Sequence, residues 1–333
     1  MKRLLQRAAS SPAAATFLLA PVIGELVSTS APLPEFLPLW LPLAVLYGSG
    51  ALLVRELARR WGSGWIGVGL LGAAYGIVEE GLVTRAFFDP LWEDLGKLAV
   101  FGRDGGVNWL WATQLTIYHA AVSIGITLAV VGMLFPHRRD EAWVGRRGLR
   151  WSGLGVGAWV AAGYAFYAPP AGYLVVTWLV VAALVGVAHR VGRRRPAAEP
   201  GEEAAGKAPR PRRFLLIGVV AWVGVMLIPP LFAEFPGASP TLAWAVTVAT
   251  AAASVVLVRT WSQSFRAWDD RHRFALAFGM MAPFVLLGPV LAGPVWGTAT
   301  SAATLWACLR LWRRIKARKS GVETEPAGSA ANT

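Results

Sequence analysis

Two adjacent acids and a basic residue, Glu79, Glu80 and Arg85, close an otherwise apolar stretch that begins near Tyr75 and runs to Pro90. A carboxylate in hydrocarbon costs on the order of 2.5 to 3.5 kcal/mol by insertion scales, so such a pair needs a proton, a cation, a partner or a water-filled cavity. A pair lying in the headgroup layer and capping a helix end needs none of these, and that plain reading stands beside the chemical one. Glu25, after Pro21 and Gly24, is a further acid inside an apolar segment. His119 is the only histidine within such a segment, and Asn108, Thr116, His119, Ser123 and Thr127 recur at near-helical spacing as a polar seam. A seam of that kind faces protein or water. Hydrogen bonding between helices is the alternative role for both Glu25 and His119.

Counting about 1.5 Å per residue from Trp65 sets Glu80 roughly 22 Å along its helix, just inside the outer boundary of a core about 30 Å thick. The same count sets His119 about 16 Å below Asn108, a comparable depth. Glu80, His119 and Arg85 are therefore the candidate catalytic residues, with Arg85 as counter-charge. Glu80 and His119 are the candidate ligands of a divalent cation such as zinc, although zinc needs three protein ligands and the cofactor stays open. Glu79 is the third candidate ligand at that depth, with Asp89 and Asp104 as additions from the loop, and Glu25, Glu79, Asp89, Asn108 and Ser123 are candidate binding residues. Adjacent helix positions diverge by about 100°, so only one of the two glutamates is expected to aim at the neighbouring helix. His137, His189 and His272 fall in loops at the opposite end and cannot join this group. The loop from Phe87 to Gly96 alternates apolar and acidic residues and suits a lid lying along the surface.

The elements that must position these residues are transmembrane helices. Of 333 residues, 55% are hydrophobic and 15% charged, against roughly 25% charged in soluble domains. The expected fold class is an all-α, polytopic membrane protein with about ten spans, at 13–32, 36–54, 64–80, 109–135, 151–168, 171–188, 214–233, 239–258, 274–291 and 294–312. Residues 1–189 form a six-helix part with the site in 64–189; 190–213 is a charged, proline-rich linker; 214–312 is a four-helix part; 313–333 is a tail. The N-terminus has the outline of a signal peptide, but Glu25 interrupts the apolar run, and it reads as an uncleaved first span.

With the N-terminus inside, 29 of the 32 lysines and arginines fall in cytoplasmic segments, and the other three, Arg85, Lys97 and Arg103, share one outer loop. Both termini are then cytoplasmic. The formal charge of +13 lies between apolar segments, which suits anionic lipid at the cytoplasmic face and not nucleic acid. The 17 tryptophans, among them Trp40, Trp61, Trp65, Trp109, Trp111 and Trp151, cluster near span ends as interfacial anchors. The single Cys308 excludes an internal disulfide.

The run from Glu80 to Arg85, followed 39 positions later by His119, resembles the CAAX-protease and bacteriocin-processing family of intramembrane metalloproteases. That family's first motif is two glutamates, three variable residues and an arginine; Glu80 and Arg85 match it and Gly81 replaces the second glutamate. Its second motif, Phe with His four residues on, is matched by Leu115 and His119 with leucine for phenylalanine. Its third, His with Asn or Asp four residues later, has no counterpart in spans five and six. The resemblance implies a membrane-embedded hydrolase in which Glu80 activates water and His119 is a ligand, or an inactive or repurposed relative. The longer pattern of Glu79-Glu80-Gly81, Phe87 to Pro90, Gly106 to Trp109 and Tyr118-His119 also looks like a group of uncharacterised multi-pass bacterial membrane proteins, which suits a bacterial plasma membrane, carries no function, and suggests that this loop and these two spans form one unit. Three functions stay open: a hydrolase, a proton-coupled or small-solute transporter, and a non-catalytic assembly factor. The lack of an internal repeat counts against the second.

Overall fold

Each apolar segment folds as a helix, because backbone N–H and C=O groups in a bilayer must be satisfied within the segment itself. The computed structural model describes residues 11–164, 168–194, 209–264 and 268–322. In chain order the helices are α1 (Pro12–Leu26), α2 (Leu33–Trp61), α3 (Gly64–Val83), α4 (Trp109–Leu134), α5 (Arg146–Gly163), α6 (Ala171–Arg194), α7 (Pro211–Glu234), α8 (Pro240–Ser264), α9 (Asp270–Leu291) and α10 (Thr298–Val322). Seven of them, α2, α3, α4, α6, α7, α8 and α9, are long and apolar enough to cross a membrane. The others fall short for visible reasons. Helix α1 is brief, α5 carries Arg146, Arg147 and Arg150 in its first turns, and α10 carries Arg310, Arg313 and Arg314. The breaks at Pro169-Pro170 and at Gly293-Pro294 divide the helices where proline and glycine predict. Most of the linker (195–208), the N-terminal Lys2 and Arg3, and the end of the tail (323–333) lie outside the described residues.

The molecule has two chemically distinct ends. At one, Arg55 Nη2 donates to the Arg139 carbonyl at 2.7 Å, Arg139 Nη2 pairs with Asp270 Oδ1 at 2.6 Å, and Arg318 Nη1 donates to the Met133 carbonyl at 2.8 Å. Trp61 meets His189 edge to face at the same end. At the other, residues 84–108 fold into a compact cap. A two-residue antiparallel ladder pairs Arg103–Asp104 with Val107–Asn108, Tyr173 Oη donates to the Gly105 carbonyl at 2.6 Å, and Lys97 pairs with Glu234.

The cap is not the surface lid that its alternating pattern suggests. Phe87, Phe88, Leu95 and Leu98 are all buried and share one core with Trp222, Met281 and Phe284 of α7 and α9, leaving Leu91 and Val100 as its exposed apolar tips. Trp111 is buried in that same core and so is not an interfacial anchor, whereas Trp65, Trp109 and Trp151 are exposed on the helix surfaces. A second core joins α1, α2, α3 and α4 toward the arginine-rich end.

Candidate functional site

Helices α1 to α4 each contain a stretch of π-helix, which forms the last turn of α1 (Val22–Leu26) and of α3 (Glu79–Val83) and lies inside α2 (Ala44–Gly48) and α4 (His119–Ile126). Widened turns of this kind take one more residue per turn and are frequent at functional sites, where they re-aim side chains. Each of the four carries a polar residue of one group: Glu25, Tyr47, the Glu79-Glu80 pair, and His119 with Ser123.

His119 is the hub. Its Nε2 lies 2.9 Å from Glu80 Oε1, and its Nδ1 lies 3.2 Å from Glu79 Oε2 and 3.0 Å from Ser123 Oγ. Glu80 Oε2 accepts a hydrogen bond from Thr84 Oγ1 at 3.0 Å. Glu79 Oε2 is buried without a hydrogen bond of its own, as is the hydroxyl of Tyr75. Exposure is 2% for Glu79 and His119, 8% for Glu80 and 0% for Ser123, so water does not screen these charges. Among the described residues this is the one group of three metal-ligating side chains, with a ligand atom from each lying within 4.8 Å of the others.

Both glutamates therefore reach the histidine, contrary to the expectation from α-helical geometry. The π-turn starts at Glu79, whose carbonyl accepts from the Thr84 amide at 2.9 Å. Bonding from i to i+5 spreads a turn over more residues, so neighbours diverge by less than about 100° and both can face α4.

Three tyrosines wall the histidine. Tyr118, Tyr47 and Tyr75 have ring centroids 5.0, 6.0 and 6.2 Å from the imidazole. The Tyr47 hydroxyl donates to Glu25, and the Tyr118 hydroxyl donates to the Gly24 carbonyl, so α1 is tied to the same centre. The rings and imidazole fit because glycine faces them: a Cβ on Gly76 would lie 2.8 Å from His119 Cβ, and one on Gly50 would lie 2.0 Å from Tyr75 Cε2. None of these tyrosines stands out in the sequence as a site residue, since a tyrosine in an apolar span reads as core. Their available signal was a hydroxyl placed in the interior of three consecutive long apolar helices.

The remaining candidates lie elsewhere. Arg85 ends the π-turn in a left-handed conformation, φ +63°, with its guanidinium 4.5 Å from the Tyr164 ring centroid. Asp89 Oδ1 accepts from the Leu91 amide at 2.8 Å, and its carbonyl from Arg103 Nη2 at 3.1 Å. Asn108 caps α4: its Oδ1 accepts from the Trp111 amide at 2.9 Å while its Nδ2 donates to the Leu98 carbonyl. Asp89 and Asn108 thus shape the cap, and neither they nor Asp104 join the metal-ligating group.

Two carboxylates and one imidazole in a dry interior carry a charge that must be offset, by protons or by a cation. Together with the helical topology, this defines a multi-pass α-helical membrane protein with a buried carboxylate–imidazole centre. The chain belongs to an uncharacterized membrane protein family, whose sequence model matches residues 16–314 and so takes in the centre and the cap. No curated protein and no solved structure matches it.

Proposed function

We propose that Glu79, Glu80 and His119 hold a divalent cation such as zinc and that the protein is a membrane-embedded hydrolase, divergent from the intramembrane metalloproteases that its Glu80, Arg85 and His119 resemble. The observation carrying this reading is the convergence of two carboxylates and an imidazole, with ligand atoms within 4.8 Å, in the interior of the helix bundle. Two carboxylates offset a dication, and three protein ligands leave the open position that a catalytic zinc site keeps for water. Such an ion supplies Lewis acidity and lowers the pKa of bound water to about 7. Within the chain, Ser123 fixes the imidazole through Nδ1, the kind of support that orients a ligating histidine. Glu80 is the more exposed of the two acids, and its second oxygen accepts from Thr84, a support that orients a ligating carboxylate.

Elemental analysis of the purified protein tests this. About one transition-metal ion per chain is expected, falling to background in Glu80→Gln and His119→Ala; a metal-free wild type overturns the hydrolase reading. One observation favours a second reading, proton-coupled movement of a small solute. His119 bridges both carboxylates through its two nitrogens, and Tyr47 extends the polar chain to Glu25. Metal-free protein whose proton flux in vesicles is abolished by His119→Ala would establish it.

We further infer ten membrane passes with both termini in the cytoplasm of a bacterial cell, and the 84–108 cap outside. The partition of 29 of 32 basic residues supports the orientation, and so does the gathering of Arg55, Arg139 and Arg318 at one end. The partners implied at that face are anionic lipids, with no nucleic acid.

A further inference from the structure

At the arginine-rich end, far from the buried centre, a cavity of about 560 Å³ opens between the end of α4, the start of α9 and α10. Arg139, Arg271, Arg273 and Arg318 line it, together with Asp269 and Asp270. Both carboxylates are already engaged. Asp270 Oδ1 takes Arg139 Nη2 at 2.6 Å and Arg273 Nη1 at 2.9 Å. Asp269 Oδ1 accepts from the Arg271 amide at 3.0 Å and lies 2.7 Å from His272 Nδ1, which closes the cap of α9. Because Asp269 occupies the first-turn amides, the helix terminus itself is not the anion receptor; the guanidinium groups are. Four arginines against two acids leave an excess of two positive charges in a concave site. Each guanidinium carries five N–H donors in a planar fork that matches phosphate oxygens in pairs. Arg139 and Arg318 are themselves fixed, donating to the Gly132 and Met133 carbonyls at 3.1 and 2.8 Å, so the site is held before any ligand arrives.

We propose that this cavity binds a phosphate-bearing anion, and that its natural source is the headgroup of an anionic phospholipid. The cavity sits where the apolar spans end, with the half-buried Trp268 on its wall to meet the first carbons below a headgroup and Ile315 packed behind it. A freely diffusing phosphate would satisfy the arginines equally but would have no use for that apolar wall.

The test titrates full-length protein in detergent with dioctanoyl-phosphatidylglycerol, dioctanoyl-phosphatidylcholine and inorganic phosphate in turn, reading bound lipid by native mass spectrometry and the thermal unfolding midpoint in parallel. Phosphatidylglycerol is expected to bind saturably and raise the midpoint, and phosphatidylcholine to do neither. In Arg271→Gln/Arg318→Gln the affinity for phosphatidylglycerol is expected to fall about tenfold or more, as the loss of charge-assisted hydrogen bonds implies, and to recover only in part in the Arg→Lys pair, which restores the charge without the fork. Arg271→Gln alone carries the same test if the double variant does not purify. Equal binding of the two lipids, or unchanged affinity in the glutamine variants, overturns the proposal. Displacement of phosphatidylglycerol by millimolar inorganic phosphate overturns the lipid assignment and leaves a soluble-phosphate site; no displacement supports the lipid.

Discussion

Glu79, Glu80 and His119 behave as one chemical unit because none of the three is solvated well enough to stand alone. Removing one partner of a buried ion pair leaves an uncompensated charge and costs about 3–5 kcal/mol, well above the cost of trimming a side chain of that size on the surface. His119→Ala is therefore expected to lower the thermal midpoint in detergent sharply. Glu80→Gln and Glu79→Gln should each have a smaller and mutually comparable effect, since the two carboxylates lie 2.9 and 3.2 Å from the ring nitrogens. Combining Glu80→Gln with His119→Ala should give a coupling of about 0.5–3 kcal/mol, and additivity would mean that the two do not share a site. The pairing of Glu80 with His119 was legible in the sequence, because residue type and a count of rise per residue put both at one depth. Glu79's share in it was not, because that count presumed α-helical turns. Nor were Tyr47, Tyr75 and Tyr118, whose role comes from three helices meeting and not from any local pattern.

At the scale of elements, the π-turns and the glycines facing them decide whether the centre can assemble. A methyl group on Gly76 would meet His119 Cβ at 2.8 Å and the Thr116 backbone at 3.4 Å, and neither of these on α4 is a flexible side-chain end that can yield. Gly76→Ala is expected to cost about 1–3 kcal/mol through overpacking and to reduce metal content along with stability. On the same helix a Cβ on Gly69 meets nothing within 4 Å. Gly69→Ala should therefore be neutral or stabilise by up to about 1 kcal/mol through helix propensity, which makes it the internal control in the same unfolding assay. Asn108→Ala should cost about 0.5–2 kcal/mol from the lost helix cap, more with the cap segment loosened, while leaving metal content unchanged, because its bonds run to Trp111 and Leu98. Among the described residues each of the ten apolar segments is mostly helical, which hydropathy alone could show. The folded cap was less readable: its alternation of apolar and acidic residues fits a surface helix as well as a packed loop, and only the core contributed by α7 and α9 selects the latter.

For the whole molecule, the consequence of two distinct ends is a strict sidedness that one experiment can read. Lys97 belongs to the cap and Arg147 to the arginine-rich end. Between them the chain makes one crossing, α4, whose 26 residues extend about 39 Å and so exceed the hydrocarbon thickness. A membrane crossed by α4 is therefore expected to leave the two positions in opposite compartments, whatever the total number of passes. Both sites tolerate substitution: Arg147 is exposed, and the pair of Lys97 with Glu234 is a surface ion pair worth at most about 1 kcal/mol. In a Cys308→Ser background, which removes the one native thiol, a cysteine at 97 should react with a membrane-impermeant maleimide in intact cells, and a cysteine at 147 only after permeabilisation. The reverse pattern would keep the fold but turn the protein over, placing its excess of arginine outside. Labelling of both positions from one side would break the two-ended architecture itself, because no arrangement of a single membrane-spanning α4 allows it.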